Sequence, residues 1–492
     1  MSPVAALAPT RQLVETPVVQ DSASRAAAEV RAPFDAARAA FAAAPAPTFE
    51  ERRARLDTLL ELLRSGQAAI EEAIDADFGG RSVHETRAGE VFVSVEGVRY
   101  ARAHLRAWMR PSSRSVSLAF QPASARVVYQ PKGVVGIISP WNYPLLLAVS
   151  PLAQALAAGN RVLLKPSELT PRFSELFRRL VAERFPADLV AVLTGGPEVG
   201  DAFSRLPFDH LVFTGSTHVG RLVMKAAAEN LVPVTLELGG KSPAIVHESF
   251  DLTRAATRIA AGKWFNAGQT CIAPDYLLAP RGSVDALVAA LAKATRTMYP
   301  TVRDNPDYTS IVSPRHFARL QGLVDEAVAK GARKIELLPE GEAIPESAHR
   351  LPPTLLLGVT DEMKVMQEEI FGPVLPIVPV ESVDAALRYV NARPRPLALY
   401  YFDDDGARVK QVLAGSWSGG VTVNDTLYHC PTDDLPFGGI GPSGMGAYHG
   451  VEGFRTFSHA KGVFSQPRLN GMFLLSPPYG ARVERLLKFL IG

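Results

Sequence analysis

The chain has two cysteines in 492 residues, Cys271 and Cys430, and four tryptophans. Two cysteines cannot build a disulfide framework, and neither lies in a CxxC pair, so a disulfide-stapled scaffold and a thiolate metal cluster are both set aside. No long block of one charge sign exists. The 52 basic residues against 50 acidic ones leave +2, without the basic footprint that nucleic acid or an anionic membrane surface requires. No apolar run approaches ~18 residues, so no segment is expected to span a bilayer. Met1 to Pro9 is apolar but lacks the basic stretch and long apolar core of a secretory signal. What is present is 47% hydrophobic content over a length that can bury large cores in two or more lobes. A soluble, cytoplasmic enzyme is the expectation.

Phe265-Asn-Ala-Gly-Gln-Thr-Cys-Ile-Ala-Pro-Asp275 places one cysteine among small and polar residues, after an apolar helical run and before a β-rich one. A thiolate attacks carbon electrophiles from a polar, partly exposed site, which makes Cys271 a candidate nucleophile. A buried packing cysteine is the alternative. Cys430 offers no feature that points beyond packing.

Up to about Arg31 the residues mix Ala, Ser, Val and Pro without a clear period, and a loosely ordered arm is expected over 1–30. Thr48 and Glu51 form a capping-box signature ahead of Leu56, Leu59, Leu60, Leu63 and Ile70 at helical spacing, and Gly79-Gly80 stops that helix. A second amphipathic helix runs through Val91, Val95, Val98 and Leu105 to Trp108. Both read as packing surface. Val116 to Tyr129 alternates weakly and predicts a β-hairpin able to serve a partner subunit.

From Gly133, short apolar strands (134–139, 161–165, 189–193, 211–214, 234–237) alternate with helical patterns near 145–158, 171–184, 197–205 and 217–230. Right-handed crossovers then give a parallel sheet covered on both faces, which binds ligands at the carboxyl ends of its strands. Those ends carry Trp141-Asn142-Tyr143, Lys165 to Glu168, Gly215-Ser216 and Glu237-Leu238. Gly215-Ser-Thr-His-Val-Gly220 opens a helix whose amides and dipole could hold a pyrophosphate, although a plain strand-to-helix turn has the same form. Lys165 and Glu168 could bond ribose hydroxyls or form a surface ion pair. After Gly240 the rhythm restarts, with strands at 242–246, 276–278, 354–358, 374–380, 397–402 and 420–424 and helices near 251–265, 283–298, 315–330 and 407–415. The fold class is α/β, with two Rossmann-like parallel-sheet lobes plus a small β hairpin, the nucleotide on one lobe and Cys271 on the other.

Pro140-Trp-Asn-Tyr-Pro144, Glu237-Leu-Gly-Gly-Lys-Ser-Pro243, Phe265-Asn-Ala-Gly-Gln-Thr-Cys271 and Glu369-Ile-Phe-Gly-Pro-Val374, in this order, resemble the signature set of the aldehyde dehydrogenase superfamily. The 34-residue interval from Glu237 to Cys271 fits it too, and the resemblance runs from about residue 35 to 465. Leu435 to Gly450, with Phe454 and Thr456 to His459, is similar to the class 3 branch. Asn424 to His429 and Asp434-Leu-Pro-Phe437 resemble its bacterial coniferyl aldehyde dehydrogenases.

The resemblance implies that Cys271 attacks the aldehyde, that Asn142 and the Cys271 amide stabilise the oxyanion, and that Glu237 is the general base for hydrolysis. It implies NAD as cofactor, NADP being an alternative, held by Trp141, Lys165, Glu168, Gly215, Ser216, Gly220, Leu238, Glu369 and Phe371. No metal is expected. Tyr143, Leu147, Trp264, Phe265, Ile272 and Tyr428 could line an apolar funnel for an aryl or phenylpropanoid aldehyde. A medium-chain aliphatic aldehyde fits nearly as well, because an apolar pocket separates one methylene by only ~1–3 kcal/mol. The implied division is an arm at 1–30, an NAD-binding domain at 31–112 and 131–240, an oligomerisation hairpin at 113–130, a catalytic domain at 241–435, and a return segment and tail at 436–492, in a homodimer. A CoA-acylating enzyme would not need Glu237, and a cysteine hydrolase would need a histidine that the sequence around Cys271 lacks. A non-catalytic descendant would have lost part of the set. Gly480 to Gly492 predicts an amphipathic helix packed on the chain's own surface or on a sister subunit, with interfacial membrane binding as the alternative.

Overall fold

Three sheets organise the chain in the computed structural model, which describes residues 17–345, 349–471 and 475–492. The first has six strands in the order Gly444–Met445, Val234–Glu237, His210–Thr214, Val134–Ile138, Arg161–Lys165, Val190–Val192. All pairs are parallel except the antiparallel edge at Gly444–Met445. His210–Thr214 is buried throughout, as a strand covered on both faces must be. Helices Leu146–Ala158, Pro171–Ala182, Pro197–Ser204 and Thr217–Ala228 make the crossovers.

The second sheet has seven strands, ordered Arg333–Glu336, Thr354–Leu357, Val374–Val380, Tyr276–Pro280, Pro243–Val246, Ala398–Phe402, Gly420–Val423. It is parallel apart from Arg333–Glu336. The α/β class expected from the sequence is the one observed. Arg333–Glu336 and the helix Val383–Asn391 are elements that the sequence pattern does not reveal.

The third sheet joins Ser112–Arg114, Ser124–Pro131 and Ser458–Ser465, all antiparallel. The predicted hairpin therefore has a third strand, drawn from the far end of the chain. The expected arm needs correction as well. A helix runs from Pro17 to Ala43 and buries Ala26, Val30, Phe34 and Ala37 against the six-stranded sheet, so only residues 1–16 of the arm lie outside the described residues. Those four side chains recur every three or four positions, the spacing of one helical face.

The capping box closes as predicted. The Glu51 amide donates to Thr48 Oγ1 at 3.2 Å and the Thr48 amide to the Glu51 carboxylate at 2.6 Å, and the helix Phe49–Phe78 ends on Gly79 at φ 65°. Beyond it the chain does not form one regular helix. Val83–Thr86 is α-helical, Arg87–Phe92 is a π-turn and Val93–Trp108 returns to α. The C-terminal helix Ala481–Ile491 forms as predicted but buries only Val483 fully and Leu486 in part, while Leu487, Phe489, Leu490 and Ile491 are exposed. Among the described residues, no helix is long and apolar enough to cross a membrane.

Gly268 turns the chain into the cysteine loop at φ +71°, and a Cβ there would press on the Gly372 carbonyl oxygen. Gly268→Ala should lower the unfolding free energy by about 2–4 kcal/mol, because backbone strain and overlap with fixed backbone add. Gly331→Ala, at φ +101° in open space, should cost about 1–2 kcal/mol. Urea-unfolding midpoints compare the two directly, and equal midpoints would remove the steric contribution.

Candidate active site

The cysteine loop is held in an unfavourable backbone conformation. After the helix Leu252–Trp264, Asn266 and Ala267 adopt φ 53° and 50°, left-handed values that cost a non-glycine residue ~1–3 kcal/mol and persist only where surroundings fix them. The surroundings here are hydrogen bonds. The Asn266 amide donates to Glu85 Oε2 at 3.1 Å, and its side-chain Nδ2 donates to the carbonyls of Asn142 at 3.0 Å and Gln269 at 3.2 Å. Gln269 Nε2 donates to the carbonyls of Asn266 and Ser310, while Gln269 Oε1 accepts from the Val312 amide. Thr270 Oγ1 lies 2.7 Å from the Tyr143 hydroxyl, and the Tyr400 hydroxyl donates to the Ile272 carbonyl. Cys271 sits between these two anchors.

Asn142 follows the strand Val134–Ile138 and is buried. Its Nδ2 donates to the Gln269 carbonyl at 3.1 Å. A primary amide carries two N–H donors, so the second is available to a ligand. Glu237 is the last residue of Val234–Glu237, opposite Thr214 on one side and Gly444 on the other. It is buried, and neither carboxylate oxygen has a hydrogen-bond partner among the described residues. Burial alone raises its pKa well above the carboxylate range.

The Cys271 thiol is half-buried, and burial pushes its pKa well up. The charges of Cys430, Glu369 and Glu237 act on it in the same direction, so all three lie in its neighbourhood. Cys430, like Cys271, is half-buried and packs against the same hydrophobic core. Its thiol is pushed up to about 12 by burial and then by the charge of Glu237.

A cavity of about 570 Å³ is lined in part by Thr217, Gly239, Gly240, Lys241 and Glu369, residues from both parallel sheets or their loops. A Cβ on Gly239 would run into the Glu369 carboxylate, and one on Gly220 would lie 2.6 Å from Leu238, so the backbone is bare where an extended ligand would approach. Ser216 caps the helix Thr217–Ala228 by accepting from the Val219 amide at 3.4 Å. Lys165 Nζ, with its side chain nearly buried, lies 3.3 Å from Glu168 Oε2. Glu369 is pushed up to about 8 by burial and by the charge of Asp275, while a bond from the Gly240 amide opposes that rise. Phe371 is held at φ 54°, its ring 5.4 Å from that of Trp141. A glycine-bare helix start, a lysine–glutamate pair and a cleft glutamate fit a dinucleotide.

Tyr143 and Phe265 present parallel rings, 8° apart in plane and 6.5 Å between centroids. Ile272 is buried, whereas Tyr428 is 66% exposed and stands at the surface. Among the described residues, no group of three or more His, Cys, Asp or Glu side chains is placed to hold a metal ion. Arg81, Glu85 and Glu90, which no sequence motif marks, are buried beside these loops.

The model of the aldehyde dehydrogenase family matches residues 9–463. A "Probable coniferyl aldehyde dehydrogenase" of Pseudomonas aeruginosa is 55% identical over 459 residues, covering 93% of this chain and 95% of its own. The solved substrate-bound state of Staphylococcus aureus AldH matches with a TM-score of 0.88 at 38% identity, over 94% of this chain and 99% of that one. The NAD+ complex of an aldehyde dehydrogenase from Bacillus cereus matches with a TM-score of 0.81 at 28% identity, over 89% of each. This chain belongs to the aldehyde dehydrogenase family.

Proposed function

We propose that this enzyme oxidises an aryl or phenylpropanoid aldehyde, with coniferyl aldehyde as the type substrate, to the free acid using NAD, with NADP as an alternative. The observation that carries the reading is the Glu237 carboxylate: buried, unpartnered, and near enough to Cys271 for its charge to act on the thiol. Native folds rarely leave a buried carboxylate without a partner, and catalytic use is a reason to keep one.

The Cys271 thiol loses its proton to water as its sulfur adds to the aldehyde carbon, and the developing oxyanion accepts hydrogen bonds from the second Asn142 Nδ2–H and the Cys271 backbone N–H. When bound, the nicotinamide supplies the acceptor for the hydride that leaves the aldehyde carbon. The acyl thioester left on Cys271 is cleaved by a water from which Glu237 takes the proton, releasing the acid and restoring the thiol. Ser216 and the Gly215 to Gly220 backbone would hold the pyrophosphate, Lys165 and Glu168 the adenosine ribose, Glu369 the nicotinamide ribose and Phe371 the nicotinamide ring, with Trp141 and Leu238 as further contacts. The relative at 55% identity and the parallel Tyr143 and Phe265 rings support an aromatic substrate.

A second copy covering the outer edge of Ser458–Ser465 is supported by that strand's exposure along an eight-residue edge. Two free thiols support a reducing, cytoplasmic compartment. Sedimentation of the cytosolic fraction should give twice the 53.0 kDa chain mass. A monomer, or recovery outside the cytosol, would contradict this.

NADH release should be faster with cinnamyl and benzyl aldehydes than with linear ones, and should not require CoA. Cys271→Ala should abolish it while leaving NAD binding intact. Glu237→Gln should give one burst of NADH and then turnover slower by about 10²–10⁴-fold. Normal turnover in Glu237→Gln would remove the base role.

Burial favours the protonated forms of Cys271 and Glu237, so their reactive forms appear only as pH rises through the raised values. The charge of Glu237 adds to the cysteine's shift. In Glu237→Gln, iodoacetamide labelling of the Cys271 peptide should therefore reach its midpoint at lower pH than in the wild type. A midpoint moved upward would overturn this.

A further inference from the structure

We propose that Arg81 and Glu90, a buried ion pair outside the reacting groups, are positioning residues that fix the Asn142 amide for the oxyanion. The proposal rests on the reading of Asn142 given above. The pair is fully enclosed, with both side chains 0% exposed and Arg81 Nη1 2.7 Å from Glu90 Oε1. The same nitrogen donates to the Asn142 carbonyl at 3.1 Å. Glu90 Oε2 accepts from the amides of Leu145 at 2.7 Å and Leu146 at 3.2 Å. The loop from Asn142 to Leu146 is therefore held at both ends by one ion pair. The guanidinium also lies over the Tyr143 ring, 5.1 Å from its centroid, inside the same loop.

The backbone explains why these charges point inward. Glu85 and Glu90 are five residues apart across the start of the π-turn, and both are buried. Bonding from i to i+5 widens the turn and brings residues five apart nearer to one face than a regular α-helix would. Glu85 then reaches the Asn266 amide, and Asn266 Nδ2 reaches the Asn142 carbonyl. Asn142 is thus tied through its carbonyl to Arg81 on one side and to Asn266 of the cysteine loop on the other. Its side chain closes the circuit on the Gln269 carbonyl, two residues before Cys271.

Hydrophobic replacement of a whole buried ion pair is tolerated far better than removal of one partner, which strands a charge. The decisive variant is therefore Arg81→Met with Glu90→Gln. The glutamine oxygen can still accept from Leu145 and Leu146, but the guanidinium that donates to the Asn142 carbonyl is gone. The NADH burst rate constant should fall about 10–100-fold, the cost of an ångström-scale misplacement. NAD affinity should stay within about twofold and aldehyde KM within about threefold, since both side chains of the pair are fully enclosed. Asn142→Ala alone should cost about 10²–10³-fold. In that background the double replacement should cost less than about threefold more, because nothing remains to be positioned.

Additive losses would show a general structural role and overturn the proposal, as would an unchanged burst rate in the double variant. Full activity in Asn142→Ala would instead overturn the oxyanion reading itself. Should the double variant not fold, Arg81→Lys decides. Both contacts come from Nη1, and the lysine chain is one bond shorter, so its ammonium falls short of that position and the burst rate should fall about fivefold with NAD affinity kept. A wild-type burst rate there would also overturn the proposal.

Discussion

One oxygen atom, the carbonyl of Asn142, receives a hydrogen bond from each side of the cleft. Arg81 approaches it from the N-terminal helices and Asn266 from the cysteine loop. Each bond between buried groups is worth about 0.5–3 kcal/mol net, the upper part applying where a charge is involved. The value of the arrangement is chiefly geometric. Asn266 and Ala267 are in left-handed conformations that they would leave if released, and the side chains that hold them are those that also orient Asn142. Tension in the cysteine loop and alignment of the amide donor are two aspects of one network.

The helix and sheet around this network do little more than deliver its members. Glu237 arrives at the end of a buried strand, where the register sets it opposite Thr214 and Gly444. Gly438 lies so near that an added Cβ would stand 3.2 Å from Glu237 Oε1. Small residues thus leave the carboxylate walled in without giving it a donor. Glu369, from the other sheet, meets Gly239 and Gly240. Glycine at 239 leaves room for the Glu369 carboxylate, which an added Cβ would overlap.

The stretches proposed to carry the chemistry are legible in the sequence because they are short, marked by glycine and proline, and placed at strand ends. Asn142, Glu237, Cys271 and Glu369 could all be found that way. The network behind them was not legible. Arg81 and Asn142 are 61 positions apart, and Glu85 and Asn266 are 181 apart, with no local pattern to join them. The helix Pro17–Ala43 was missed for a different reason: two of its four buried positions are alanine, a weak hydrophobic signal. Ser458–Ser465 is mostly exposed, so it lacks the alternation that marks a half-buried strand. Tyr428 shows the opposite error, since nearness in sequence to a motif did not place it inside the pocket.

Buried carboxylates crowd this part of the molecule, and their surroundings separate their duties. Burial raises Glu85 to about 7 and Glu369 to about 8, and moves Glu90 and Glu237 upward as well. A folded pKa above the unfolded one means that each contributes stability fully below about pH 4 and loses it as pH rises through its folded value. For Glu85 and Glu90 the cation Arg81 opposes the rise, and for Glu369 Lys241 and Arg319 do. Those three can ionise beside a fixed positive charge and then serve as anchors. Glu237 has no such counterion among the causes of its shift, and burial acts on it unopposed. A carboxylate anchored to a cation gives up its basicity, whereas one left without a partner keeps it. The environment of Glu237 therefore differs from that of the other three, which supports the base role proposed for it.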